Sequence, residues 1–285
     1  MTRGTCLCGT VTWRATGDLT PLSHCHCAMC RKAHAAPFVS FTSCAADDFE
    51  WTSGADAVRF FESSPGVARA FCSTCGSSLP DASPGNDRIS LPAGGIMEDP
   101  GLRGGRHIFV ASKAPWHQID DGAECHDAWP DGPDGPSILP VIDRPDPGPV
   151  PDGIVRGSCL CGQIRFEVSE SFRVVHNCHC SLCRRARAAA HTTNGFVSYD
   201  GVRFVSGEAL LTTYTVPGRG FGQAFCSTCG SGMPRRNVAR GITNVPLGVL
   251  DDTPDHGPDD HIFVGSKAAW YEITDDLPQF ENGPA

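Results

Sequence analysis

The chain has 285 residues, is 40% hydrophobic but only 8% aromatic, and carries a formal charge of −9. That length suits two domains of about 125 to 130 residues, each with a modest core. The acidic balance argues against electrostatic binding to nucleic acid, which needs a net basic face, and no apolar run approaches the length that crosses a bilayer.

Met1-Thr2-Arg3-Gly4 leads straight into Cys6-x-Cys8-Gly9. No secretory leader is therefore expected, and a cysteine-rich chain without one is expected in the reducing cytoplasm with its thiols held by metal. Val11-Thr12-Trp13 is short, β-branched and aromatic, which predicts a strand. Cys25-His26-Cys27-x-x-Cys30 follows, then Arg31-Lys32-Ala33-His34-Ala35-Ala36, where a turn or two of helix is expected. Phe38-Val39-Ser40-Phe41 and Ile108-Phe109-Val110 read as further strands, with Cys72-x-x-Cys75-Gly76 between them. The interval 130–153 is dense in Pro, Gly and Asp and reads as an extended linker.

Everything then recurs. Cys159-x-Cys161, Cys178-His179-Cys180-x-x-Cys183 and Cys226-x-x-Cys229 repeat the first three clusters, two at an offset of 153 residues and the third at 154. Ile164-Arg165-Phe166 and Ile262-Phe263-Val264 repeat the strands, and Cys-Arg-Arg-Ala-Arg after Cys183 repeats the helical turn. A repeat this long signifies tandem domains and not a solenoid. The expected organisation is a first domain over 1–129, the linker over 130–153 and a second domain over 154–285, mostly antiparallel β with little helix.

Fourteen of the sixteen cysteines obey the repeat, seven per copy. Seven cannot be used up by disulfides within a copy, but they divide into one four-thiolate metal site and one three-thiolate site with an open position. The pairs Cys6/Cys8 and Cys72/Cys75, and likewise Cys159/Cys161 and Cys226/Cys229, predict a closed structural Zn(Cys)₄ site in each copy. Cys25, Cys27 and Cys30, and Cys178, Cys180 and Cys183, can grip one face of a second zinc ion and leave its fourth position for a water or a thiol. Such an open position marks a catalytic zinc, and a thiol bound there ionises near neutral pH. Two Zn²⁺ per domain, four per chain, would bring the net charge to about −15.

Gly-x-Cys-x-Cys-Gly, Cys-His-Cys-x-x-Cys-Arg and Phe-Cys-x-x-Cys-Gly-Ser, in that order, resemble the glutathione-dependent formaldehyde-activating enzyme (GFA) family, which includes centromere protein V. The resemblance spans nearly the whole chain, twice. It implies a zinc-stabilised β-tent fold in each copy, a structural zinc on the four-cysteine sets, and an active-site zinc on Cys25, Cys27 and Cys30 and on Cys178, Cys180 and Cys183. The implied activity is that of a carbon–sulfur lyase resembling S-(hydroxymethyl)glutathione synthase, with a glutathione-like thiol and formaldehyde or a related small aldehyde as partners. The competing reading is a non-enzymatic zinc-stabilised scaffold, in which a fourth protein ligand closes each three-cysteine site. A thiol redox or metal-handling role is a third.

Other residues carry weaker signals. Arg31, Lys32, Arg184 and Arg185 follow the last ligand of each trio and are candidates to meet the carboxylates of glutathione. His26 and His179, between chelating cysteines, could be a fourth ligand or a proton carrier, but are expected to point away from the metal, either supporting the ligands from behind or lying at the surface. Lys113 and Lys267 read as strand ends turning to solvent, and Trp116 and Trp270 as packing residues. Cys44 and Cys125 are spare thiols. Pro37-Phe38 is replaced by Ala190-His191, and Met97-Glu98 by Asp251-Asp252. If a pocket wall lies there the two sites differ, and His191 is a candidate to approach the second zinc.

Overall fold

The computed structural model describes residues 1–130 and 148–283, so most of the expected linker lies outside the described residues. The short β-branched runs form strands that stop where Gly, Pro and Asp interrupt them. In the first copy Thr2–Thr5, Thr12–Ala15 and Phe49–Ser53 make an antiparallel sheet. A five-stranded sheet runs in the spatial order Glu124–His126, Arg106–Ile108, Ser23–Cys25, Val39–Ala45, Arg88–Pro92. Val58–Ser64, Val67–Cys72 and Ser78–Leu79 form a third.

The second copy repeats this plan. Its outer sheets are Val155–Ser158, Arg165–Val168, Val202–Ser206 and Leu211–Thr215, Gly222–Cys226, Gly232–Met233. Its central sheet has six strands, because Arg235–Asn237 joins the edge beside Ile242–Pro246. Two α-helices lie among the described residues: α1, Ala28–His34, and α2, Ser181–Arg187. The chain is thus mostly β, in two tandem β-tent copies.

Pairing is mostly antiparallel, as expected, with parallel exceptions such as Arg106–Ile108 beside both Ser23–Cys25 and Glu124–His126. A long intervening stretch of chain permits that crossover. One strand expectation is corrected: Ile108-Phe109-Val110 stops short of a full strand, since Phe109 has φ 58° and Val110–Ser112 is a 3₁₀ turn. Phe263 does the same with φ 58°.

The two copies complete each other's cores. Ala33 and Ala35 from the first copy, with Trp116 packed alongside, join the cluster built on Phe166, Val175 and Leu247 of the second. Ala190, Ala268 and Trp270 of the second join Trp13, Phe38 and Leu91 of the first. Truncating a buried tryptophan such as Trp270 to alanine costs roughly 3–5 kcal/mol. Contacts are reciprocal, as between subunits of an isologous dimer. A Cβ added to Gly94 would lie 2.2 Å from the Ala189 amide nitrogen, and one on Gly248 2.4 Å from that of Ala36. Only glycine allows this approach of backbone to backbone, and both copies supply it.

Candidate metal and thiol sites

The four-cysteine sets assemble from opposite ends of each copy. Cys6 and Cys8 sit in the loop between the first two strands; Cys72 ends Val67–Cys72 and Cys75 lies in the turn after it. The Cys6 sulfur is 3.3 Å from that of Cys8, and Cys8 is 3.8 Å from Cys72. The matching separations in the second copy are 3.3 Å for Cys159–Cys161 and 3.8 Å for Cys161–Cys226. Sulfurs at ~2.3 Å from a tetrahedral ion stand ~3.8 Å apart, so the donor set fits one metal. Backbone holds the sulfurs in place: the amides of Val11 and Ile164 donate to Cys6 and Cys159, each at 3.3 Å.

The three-cysteine sets lie where the central sheet feeds a helix. Cys25 ends its strand, Cys27 caps α1 by accepting from the Cys30 amide at 3.3 Å, and Cys30 sits in the first turn. Cys178, Cys180 and Cys183 repeat this around α2. Within each of the four groups every sulfur lies within 4.8 Å of the others. No fourth His, Cys, Asp or Glu joins either trio among the described residues.

The trios open outward. Cys25, Cys27 and Cys30 line a cleft of ≈ 1250 Å³, and Cys178, Cys180 and Cys183 one of ≈ 1010 Å³. Cys6, Cys8, Cys72 and Cys75 line neither cleft; of the second four-cysteine set, only Cys229 does, reaching the first cleft.

Outside the clefts Arg31 and Arg184 feel Cys27 and Cys180, and in each cleft wall a further arginine stands beside the trio, from a different element in each copy. In the first copy it is Arg69, on Val67–Cys72. Burial works against its charge, yet negative charge on the Cys30, Cys27 and Cys25 sulfurs and on Asp81 outweighs burial and raises its pKa. In the second copy it is Arg187 at the end of α2, where burial pulls the guanidinium down to about 10 while Cys183 opposes the shift. The matched residues have exchanged character: His34 stands at the position of Arg187, and Gln223 at that of Arg69. Gly232 makes room for the exchange, since a Cβ there would lie 1.4 Å from Arg187 Nη1. Its counterpart is Ser78.

Behind each trio runs a chain of rings. His26 is fully buried, and its Nε2 meets His107 Nδ1 at 2.8 Å. His107 Nε2 meets Asp121 at 2.9 Å. With a carboxylate accepting at its end, the network assigns the protons: His107 Nε2–H donates to Asp121, and His26 Nε2–H donates to His107. The second copy has the same series, His179–His261–Asp275, with His179 Nε2 to His261 Nδ1 at 2.8 Å. His26 and His179 thus lie buried behind the cysteines and not at the surface, the first of the two roles expected for them. Their partners went unanticipated, although His107 and His261 open two matching His-Ile-Phe-Val runs.

Several expected site residues lie elsewhere. Lys32 is 6% exposed and turns from the thiols to the other copy. Its amine reaches Asp251 at 2.7 Å, the Ser158 carbonyl at 2.9 Å and the Val249 carbonyl at 3.1 Å. It is a strut between copies and cannot also meet a bound carboxylate. Arg31 and Arg184 fall outside the clefts, with Arg184 Nε bonded to the Ser266 carbonyl at 3.2 Å; Arg185 lines the second cleft. Lys113 and Lys267 do not turn free into solvent but donate to the carbonyls of His117 and Tyr271.

The divergent pairs are not cleft walls either. Glu98 pairs with Arg3, and Asp252 with Arg156 at 2.9 Å. Phe38 and His191 meet each other in the buried seam between copies, their rings 5.6 Å apart. His191 stacks near His179 at 4.9 Å and is not part of the ligand group. Of the spare thiols, Cys44 is buried in the first core and Cys125 is exposed on an edge strand.

These features define a mostly β protein with converged thiolate groups fit for metal ions. The glutathione-dependent formaldehyde-activating enzyme family matches residues 1–112 and again 154–266, and the chain belongs to that family in both copies. Among solved structures it is similar to the crystal structure of a Rhodobacter sphaeroides protein, at 26% identity over 35% of this chain and 91% of that one, with a TM-score of 0.30. No helix among the described residues is long and apolar enough to cross a membrane.

Proposed function

We propose that this chain is a zinc-dependent carbon–sulfur lyase-type enzyme that adds a thiol such as glutathione to formaldehyde or a related small aldehyde. The thiol sulfur bonds to the carbonyl carbon, and the proton lost from sulfur ends on the carbonyl oxygen, giving an S-hydroxymethyl product. Cys25, Cys27 and Cys30, and Cys178, Cys180 and Cys183, would hold the active-site zinc, with the four-cysteine sets holding a structural one. The bound metal supplies the Lewis acidity that keeps a thiol ionised near neutral pH.

The protein's own residues account for the rest. Arg69 and Arg187 set a positive charge beside each thiolate-rich trio and limit the repulsion that a further anionic sulfur would meet. The buried His26–His107–Asp121 and His179–His261–Asp275 series fix the backbone segment between two ligands, so that the trio keeps its shape. The cleft over each trio gives thiol and aldehyde a shared place to meet.

The observation that carries this reading is the contrast between trios that open into clefts and four-cysteine sets that are complete in themselves. The test is formation of S-(hydroxymethyl)glutathione by zinc-loaded protein above the spontaneous rate. The excess should vanish in the double variant Cys27→Ala, Cys180→Ala while circular dichroism remains that of the parent. An excess that survives the double substitution would refute the assignment.

A further inference from the structure

The two clefts differ in charge at matched positions. The second is lined by Arg173, Arg185, Arg187, Arg219, Arg235 and Arg240, with no carboxylate. The first has Arg69, Arg88 and Arg106, countered by Asp81 and Asp87. Across the repeat Asp81 becomes Arg235, Asn86 becomes Arg240, Thr20 becomes Arg173, and Asp87 becomes Gly241. One of these is an outright reversal of sign, and all four move the second cleft toward positive charge; Arg69, Arg88 and Arg106 become Gln223, Ile242 and Asp260, yet the second lining still holds six arginines against three arginines and two aspartates in the first.

The arginines also differ in how far they are already engaged: of the first three only Arg106 makes no side-chain hydrogen bond or ion pair among the described residues, and of the second six only Arg185 makes one, to the Ser181 carbonyl at 3.2 Å. Arg69 Nε donates to Ser63 at 3.2 Å and Arg88 to Ser43 at 3.0 Å. Among the described residues Arg173, Arg219, Arg235 and Arg240 make no side-chain hydrogen bond or ion pair. Their fork-shaped donors are free for carboxylate or phosphate oxygens. The lining around them differs in the same sense: Phe41 in the first cleft is replaced by Asn194 in the second. A chain with an overall charge of −9 that gathers six arginines around one concavity focuses a positive field there.

We propose that the second cleft selects a polyanionic thiol, one bearing at least two acidic groups uncompensated by an amine, while the first cleft does not. The two copies are then two sites of different specificity. The thiol part rests on the function proposed above; the charge selection stands on the arginines alone.

The experiment uses the zinc-loaded full chain and three calorimetric probes: mercaptosuccinate, 2-mercaptoethanol and succinate. Mercaptosuccinate should bind one site per chain at least about tenfold more tightly than 2-mercaptoethanol, and that advantage should fall steeply as sodium chloride rises. Arg235→Asp with Arg240→Asn, which installs the first copy's residues, should remove the advantage and leave 2-mercaptoethanol unchanged. Asp81→Arg with Asn86→Arg should create a second tight site. Equal affinity for the two thiols, or a swap that changes mercaptosuccinate binding by less than about twofold, overturns the proposal. If succinate binds with the same arginine dependence and no thiol binds at all, charge selection stands and the thiol reading fails. If both thiols bind both clefts equally, the thiol reading stands and charge selection fails.

Discussion

Helices α1 and α2 occupy matched places, each capped by a cysteine of its trio, yet their basic residues go to different tasks. In α1, Lys32 spans to Asp251 of the other copy, and His34 Nδ1 meets the Arg187 carbonyl at 2.6 Å. In α2, Arg185 lines the cleft, and Arg187 stands by the second trio. Lys32 is committed to holding the halves together and its counterpart Arg185 to the site, although both helices touch the seam and both line a cleft. Duplication lets this happen: a position needed once at the seam is released in the other copy.

The sharpest way to break the comparison is to remove one trio at a time. Cys27→Ala should abolish turnover by the first copy alone and Cys180→Ala by the second alone, each by at least about 100-fold. Rates measured with a neutral and an acidic thiol would show whether the two losses fall on different substrates.

Next in size is the seam. Lys32→Met should lower unfolding free energy by about 3 kcal/mol, because Asp251 and two carbonyls lose a buried partner. Arg185→Met should change it by less than about 0.5 kcal/mol. Equal losses in chemical denaturation would erase the distinction between the helices.

The exchange near the second trio is tested by Gly232→Ser, which restores the first copy's residue. Overpacking against Arg187 should cost about 2 kcal/mol, and Arg187→His should recover most of it. A double-mutant cycle with no coupling would show that the two positions changed independently.

A conditional effect, seen only on acidification, concerns His191, which faces the seam where the first copy has Phe38. Burial, with nearby His261 adding to it, holds its pKa at about 3. Unfolding releases it to an ordinary value near ~6.5, so the unfolded chain binds the extra proton below that pH. The neutral ring therefore contributes stability that is whole above pH ~6.5 and is lost as pH falls toward its folded value. Between pH 7 and 5 the parent should lose about 2 kcal/mol more than His191→Phe, measured by denaturant titration. Parallel curves would place the acid sensitivity elsewhere.

The cysteine register announced the tandem architecture, both classes of thiolate site and the family, because metal ligands impose spacings that survive as sequence. The strands were legible for a similar reason, through short alternating runs between turn residues. What stayed hidden required knowing how the copies face each other. Lys32 next to a ligand reads as a cationic surface, and only the placement of Asp251 and Ser158 turns it inward. Asp121 follows His107 by 14 residues through irregular chain, so no periodicity links them. The charge difference between clefts was dispersed over four separate segments, and becomes a pattern only when the sheet gathers them.

Trp116 and Trp270 carry one more implication. With each half's interior sealed by a ring from its twin, a gene fragment encoding either half alone would yield a polypeptide with an unfilled socket and a homeless indole. Such a fragment satisfies both defects most economically by embracing another like itself, which gives the same arrangement but with two identical mouths. Fusion into a single polypeptide is what permits the mouths to differ.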